Sequence, residues 1–420
     1  MLRESLFQST KKSAILLAIL AFLFVVALIT YAIKTGDTIR FPDESHYLLL
    51  AQNLATTGHY TIDGSNPTAF HPPAYPLLLA AGMKLGLPIT ALRVVNASTL
   101  LACMALLYIL LRKTSIEQAR IAVLLIMAYP VLFYTASTFY PQIPAAALFL
   151  SALVLLFSNA PLTPDRSFAA GLLLGCAILM VPTFGFVLLF TATFIAIHPL
   201  RYKMLANAAV LICGAGIVIA PWVARNAVVF GRFIPVSTNN GVNLLLGNNE
   251  NTTPNSGTTV DISRYEKSAS TLSEIDANEF YTQSALNFIK THPSESFKLY
   301  AGKVINYFNY ENSLYMKTEQ SRTRTLIMLL SYGLLLGLAV LRLIMTFRYP
   351  LTLLEKYITW LYLLNAPVSA VFFTRIRFRL PMDILLTVIA ASAVIIIAGY
   401  IRERFANSPL GLGIHSTRDS

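Results

Sequence analysis

Two short stretches of this chain put side chains with chemical capability close together. Near the start, Asp43 and Glu44 stand side by side in FPDESHY; near the end, Arg375, Arg377 and Arg379 alternate in RIRFRLPMD. An adjacent carboxylate pair can exchange a proton with a substrate, each charge lifting the other's pKa, or hold a divalent cation. The competing reading is that an acidic pair at a helix N-terminus caps it and complements its dipole. Alternating arginines offer planar forks of donors that match phosphate oxygens, and the competing reading for them is anchorage to lipid headgroups. Arg225, in PWVARN, is a further cation that could bind an anion or snorkel at the end of its apolar run. His46, His59 and His71 share a stretch with the carboxylates, but their spacing fits no metal-ligand motif, so packing or surface roles suit them better.

The elements that must position these residues follow from the local pattern. Pro42 starts a helix in which Tyr47, Leu50, Ala51 and Leu54 fall on one face and the carboxylates occupy the first turn; Gly58 ends it. His71-Pro72-Pro73 then stiffens the chain and starts a second apolar helix, Ala74 to Leu85. Farther on, an Asn- and Thr-rich stretch favours turns. Ser273 with Asp276 reads as a helix start, and Pro293 as the first residue of another helix, with Phe297, Tyr300, Val304 and Phe308 on its apolar face.

These elements sit between long apolar runs. With 55% hydrophobic and 12% charged residues and a mean hydropathy of +0.61, the chain lies outside the range of soluble domains. It reads as an all-α polytopic membrane protein, one domain over residues 1–420. The uncharged run from Ser13 to Ile33 is long enough to span a bilayer. Nine more apolar runs follow, near 89–111, 119–135, 141–158, 167–182, 183–198, 205–224, 324–343, 356–373 and 380–401. The boundary at Pro182 leaves two options, a pair of spans or one kinked span. Ten spans gather Arg112, Lys113, Arg120, Arg166, Arg201, Lys203, Arg348, Lys356, Arg402 and Arg404 on the side of the N-terminus with Arg3, Lys11 and Lys12, which the positive-inside rule makes cytoplasmic. Both termini are then inside, and the polar stretches 34–88 and 225–323 form two extracytoplasmic loops. The formal charge of +12 is explained by that distribution rather than by nucleic acid. Cys103, Cys176 and Cys213 all fall in apolar runs and read as packing residues.

The order of a first span, an acidic pair, a short helix, a His-Pro-Pro segment, PWVARN and finally RFRLP resembles the GT-C superfamily of integral-membrane glycosyltransferases, above all the protein O-mannosyltransferases and the lipid A aminoarabinose transferase. The resemblance implies a bundle of about ten transmembrane helices with amphipathic surface helices in its two outer loops. It also implies a polyprenyl-phosphate-linked sugar as donor and an extracytoplasmic lipid, glycan or protein as acceptor. Asp43 would then be the general base, with Glu44 beside it, and the pair could ligate a divalent cation. Arg375, Arg377, Arg379, His71 and Arg225 would bind the donor phosphate, His71 as a cation. Two positions depart from the superfamily pattern: Tyr140-Pro141-Gln142 replaces an acidic residue, and Val181 replaces an arginine before Pro182. The bacterial inner membrane is the expected location, although Asn251-Thr252-Thr253 would be a usable glycosylation sequon in an endoplasmic reticulum lumen. A transporter or lipid-linked-sugar flippase, and a non-catalytic envelope-assembly protein, are the rival readings.

Overall fold

The computed structural model describes residues 2–157, 161–197, 201–311 and 321–406. Positions 312–320 of the second polar stretch lie outside them, as do the side chains of Arg3, Lys11, Lys12, Arg201, Lys203 and Arg404. The described residues are helical throughout, apart from turns and one isolated bridge between Thr61 and Pro67. In chain order the helices are α1 (Leu2–Thr35), α2 (Pro42–Thr56), α3 (Ala74–Lys84), α4 (Ile89–Arg112), α5 (Ile116–Met127), α6 (Pro130–Ala136), α7 (Gln142–Leu156), α8 (Pro164–Ile178) and α9 (Phe184–Ala196). They continue as α10 (Arg201–Phe230), α11 (Asn240–Gly247), α12 (Ser263–Ala269), α13 (Glu274–Thr291), α14 (Pro293–Asn306), α15 (Arg322–Ile344), α16 (Leu353–Ala370) and α17 (Ile376–Ala406).

Each of the ten apolar runs becomes helix, but not each becomes a full span. Among the described residues five stretches are long and apolar enough to cross a membrane: Ala14–Thr35, Ile89–Arg112, Met204–Phe230, Arg322–Phe347 and Ile376–Glu403. The α5–α6 pair, bent by 68° ahead of Pro130, would make a sixth. The protein is therefore a multi-pass membrane protein. The 15-residue α7 and α8 and the 13-residue α9 reach about 20 Å each, short of a hydrocarbon core of about 30 Å.

Side-chain pairings give the direction of each element. Leu162 O accepts from Asn207 at the start of α8 and α10, Gly171 lies against Leu211 and Ala215, and Leu179 shares an apolar cluster with Trp222. These helices therefore run parallel, and the chain must reverse between them; the option of one kinked span at Pro182 is set aside. Their backbones touch because glycines line the seam: a Cβ on Gly171 would lie 2.1 Å from the Leu211 carbonyl oxygen and one on Gly214 would lie 2.5 Å from that of Phe168. By the same logic α7 and α9 run parallel, with Phe149 on Phe184 and Phe157 on Phe194. Tyr129 meets Asp383, while Gln118 meets Val388 and Ser392, so α5 is antiparallel to α17.

The described residues of the two polar stretches clasp each other. Glu274, in the first turn of α13, accepts from Thr68 Oγ1 (2.5 Å), Ala69 N (2.9 Å) and Thr238 Oγ1 (2.5 Å). The expected starts hold: Pro42 and Pro293 are first-turn residues of α2 and α14, the Ser273 side chain accepts from Asp276 N, and Gly58 takes φ +77° just past α2. Of the expected apolar face of α14, Val304 and Phe308 pack against the core and Tyr300 donates to Pro367 O, but Phe297 is about three-quarters exposed; Ser296, Leu299 and Lys303 are buried beside them.

Candidate active site

Asp43 and Glu44, neighbours in sequence, face different surroundings because successive residues of a helix point about 100° apart. Glu44 is fully buried: one oxygen accepts from Phe139 N (2.8 Å) and pairs with Arg93 (3.4 Å), and the other accepts from Arg40 N (3.1 Å). Arg93, equally buried, also donates to the Gly36, Thr38 and Ser137 carbonyls. The expected part for Glu44, as a ligand or as the charge that lifts Asp43, is therefore corrected. Its oxygens are spent on holding α2 to α4 and to the turn before α7.

Asp43 keeps a one-third exposed side chain, and its Oδ2 lies 2.9 Å from Arg377 Nη2. Burial alone would raise its pKa. The charge of Arg377, with the hydrogen bond it donates, outweighs burial and holds the carboxyl below the usual aspartate range. Asp43 is thus ionised at neutral pH, and no side-chain cap is formed at the start of α2, where the N-cap is Phe41.

The three clustered arginines separate as well. Arg377 pairs with Asp43, stacks on Tyr140 (4.7 Å to the ring centre) and lies 5.0 Å from the Phe378 ring. Arg375, on the turn before α17, donates to Ser256 O (2.9 Å) and Thr258 Oγ1 (3.0 Å). Arg379 is two helical positions from Arg377, hence on the opposite face, and only 1% exposed. There its Nε lies 3.0 Å from both oxygens of Asp383, its Nη1 donates to the Tyr307 and Asn309 carbonyls, and its guanidinium sits 3.7 Å from the Tyr332 ring centre. Tyr129 and Tyr362 complete the shell of Asp383 at 2.9 and 3.0 Å. Arg379, expected to bind phosphate, sits as a buried core residue paired with Asp383.

His71, expected as a cation, is buried as well. It is 3% exposed, its Nε2 lies 3.2 Å from His46 Nδ1, and burial pulls its pKa down to about 4, so at neutral pH it carries no charge. Arg225 stands elsewhere, donating to Thr68 O (2.9 Å) and packed among Trp222, Phe230 and Tyr60. It lines a largely apolar cavity of about 560 Å³ with Leu54, Pro73, Leu77 and Pro221.

The second cavity, of about 680 Å³, is lined by Arg377 and Arg375 together with Arg324, Thr258, Glu311 and Tyr140 on its polar side. Pro130 and Val131 of the bent α5–α6 pair and Ile327 and Met328 of α15 also line it. A single space therefore offers both guanidinium and hydrocarbon contacts, and Asp43 is joined to it through Arg377. Sequence reading missed Tyr140 as a member of this wall: it noted the absent acid at that position, not that a ring suits a guanidinium. It also missed Arg324, whose place in the first turn of α15, ahead of an apolar run, was the available signal.

The expected divalent cation does not fit these residues. Glu44 is sealed behind Arg93, Asp43 is matched by Arg377, and among the described residues no group of three or more His, Cys, Asp or Glu side chains converges.

No protein-family model matches the chain, and no curated protein matches it in sequence. Among solved structures it is similar to ArnT from Cupriavidus metallidurans in the apo state, at 13% identity and a TM-score of 0.45, covering 95% of this chain and 80% of that one. The same protein bound to undecaprenyl phosphate gives 14% identity and a TM-score of 0.43 over 92% of this chain and 80% of that one. The archaeal oligosaccharyltransferase AglB from Archaeoglobus fulgidus, in complex with an inhibitory peptide and a dolichol-phosphate, gives 13% identity and a TM-score of 0.49. That match covers 95% of this chain but about half of AglB, 52%.

Proposed function

We propose that the protein is a glycosyltransferase that moves a sugar from a polyprenyl-phosphate-linked donor to an acceptor on the extracytoplasmic side of a bacterial inner membrane. The observation that carries this reading is the Asp43–Arg377 pair, 2.9 Å apart and contributed by opposite ends of the chain, with Arg377 lining a cavity that has both arginine and apolar side chains in its wall. A phosphate carried on a prenyl chain asks for both kinds of contact. Its charged end suits Arg377 and Arg375, and its first prenyl units suit Pro130, Val131, Ile327 and Met328.

In the reaction, the bond between the anomeric carbon and the phosphate oxygen breaks and its electron pair leaves with the phosphate, which the guanidinium of Arg377 neutralises. The acceptor oxygen forms the new bond to the anomeric carbon, and its proton passes to Asp43. His71 and Arg225 are left out of this assignment, the first because it is uncharged and the second because it lines the other cavity.

The transporter reading draws on charges inside spans. Arg379 and Asp383, however, are buried and matched to each other, with Tyr129 and Tyr362 bonded to Asp383 and Tyr332 against Arg379, and Arg93 and Arg342 are likewise paired with Glu44 and Glu355. The test is deletion of the gene with mass spectrometry of envelope glycans and glycolipids. Loss of one sugar, restored by the wild-type chain and not by Asp43→Asn, is the expected result; an unchanged glycan profile overturns the reading.

A further inference from the structure

Lys303 lies outside the reaction described above and is nevertheless one of the most deeply buried cations of the chain, 1% exposed on α14. No carboxylate is among its partners. Its Nζ donates to Phe372 O (2.8 Å), Gly247 O (2.9 Å) and Asn248 Oδ1 (3.3 Å), so all three ammonium hydrogens meet an oxygen. Gly247 is the last residue of α11 and Phe372 follows the end of α16, which gives both carbonyls the partial negative charge of a helix C-terminus. Burial brings the ammonium down to about 8, and it stays mainly protonated at neutral pH. The two backbones meet here only because position 247 has no side chain: a Cβ would lie 1.7 Å from Phe372 O.

The turn that Lys303 grips is the one that delivers the arginines. Between α16 and α17, Val371 O accepts from Asn248 Nδ2 (3.0 Å) and Thr374 Oγ1 from Asn306 Nδ2 (2.8 Å). Arg375 then reaches Ser256 and Thr258. Residues 371–375 are thus held by one partner after another from the stretch between α10 and α15, with Lys303 joining both sides. Arg377 follows within one helical turn and meets Asp43.

We propose that Lys303 is a positioning residue, which clamps the α16–α17 turn to the end of α11 and so sets Arg377 opposite Asp43. Its kinetic consequence rests on the glycosyltransferase reading; its structural consequence does not. Lys303→Met keeps the chain length and removes all three donors. Hydrogen exchange of the full-length protein in nanodiscs is expected to speed up across 371–377 and to stay unchanged in α5 and α7. Transfer, assayed with a polyprenyl-phosphate sugar, is expected to lose about tenfold in kcat/KM, and the loss should shrink below about twofold in an Arg377→Ala background, because coupled residues are not additive. A merely structural lysine would leave those losses multiplicative.

Unchanged exchange in 371–377, or multiplicative losses, overturns the proposal. Should Lys303→Met fail to accumulate, Asn306→Ala removes a single bond to the same turn. It is expected to shift the same peptides by a smaller amount, and no shift there counts against the clamp. If Arg377→Ala by itself leaves transfer intact, the functional reading fails, while the exchange data still decide the clamp.

Discussion

Replacing Asp43 by asparagine separates two effects of one carboxylate, because the group expected to take the proton also occupies the arginine expected to bind the phosphate. In the resting protein Arg377 is committed to Asp43 at 2.9 Å, the two side chains being 26% and 33% exposed. A donor phosphate must draw the guanidinium away from this partner. An exposed pair is worth about 0.2–1 kcal/mol, whereas breaking a fully buried one costs about 3–5 kcal/mol; a pair of intermediate exposure falls at about 1–2 kcal/mol. Asp43→Asn should therefore bind polyprenyl phosphate about 5- to 30-fold more tightly than wild type, while turnover falls by about 10²–10⁴, the usual share of a general base. The assay is titration of the nanodisc-embedded protein with undecaprenyl phosphate, read by native mass spectrometry, beside single-turnover kinetics. Weaker binding by Asp43→Asn, or unchanged binding when Arg377→Ala does weaken it, would refute the exchange. The same reasoning describes activation: once Arg377 has moved to the phosphate, burial is less opposed and Asp43 becomes a stronger base.

Further outcomes follow from the same geometry. Arg377→Ala should weaken donor binding by about 1–3 kcal/mol and Arg377→Lys should restore only part, because an ammonium lacks the bidentate fork; unchanged Kd in both would return Arg377 to lipid anchorage. The acid limb of kcat/KM tracks the carboxylate form of Asp43, so activity is lost as pH falls through a value below the ordinary aspartate range; in Arg377→Ala that limb should move to higher pH, and a stationary limb would exclude Asp43 as the base. Arg379→Ala should lower stability by about 3–5 kcal/mol by leaving Asp383 buried and unmatched, measured as thermal unfolding in detergent, and a stable variant with weakened donor binding would make Arg379 a phosphate ligand instead. Finally, in a chain without native cysteines, His59→Cys, Asn255→Cys and Ser321→Cys should react with an impermeant maleimide in spheroplasts, while Lys113→Cys should not. Labelling at 59 without 255 would break the shared extracytoplasmic end.

What the sequence determined by itself was everything that depends on neighbours along the chain. Apolar runs specify their own helices, because backbone groups in lipid have to be paired within the segment. Pro42, Gly58, Ser273 and Pro293 punctuate helices through their own φ preferences and capping oxygens. That Asp43 and the Arg375–Arg379 segment come to the same end of the bundle was legible too, since one follows a span and the other precedes one; which arginine meets Asp43 was not. Helical period alone could also have shown that Asp43 and Glu44, or Arg377 and Arg379, cannot all serve one cavity, as 100° and 200° rotations send the members of each pair to different faces. Tertiary structure decided which member faces the cavity, because that depends on what packs against the helix. Arg93 from α4 claims Glu44, and Asp383 with three tyrosines claims Arg379. The state of His71 and the burial of Lys303 were likewise beyond local reading. Desolvation is set by residues distant in sequence, and a lysine looks solvent-facing until two helix ends and a glycine close around it.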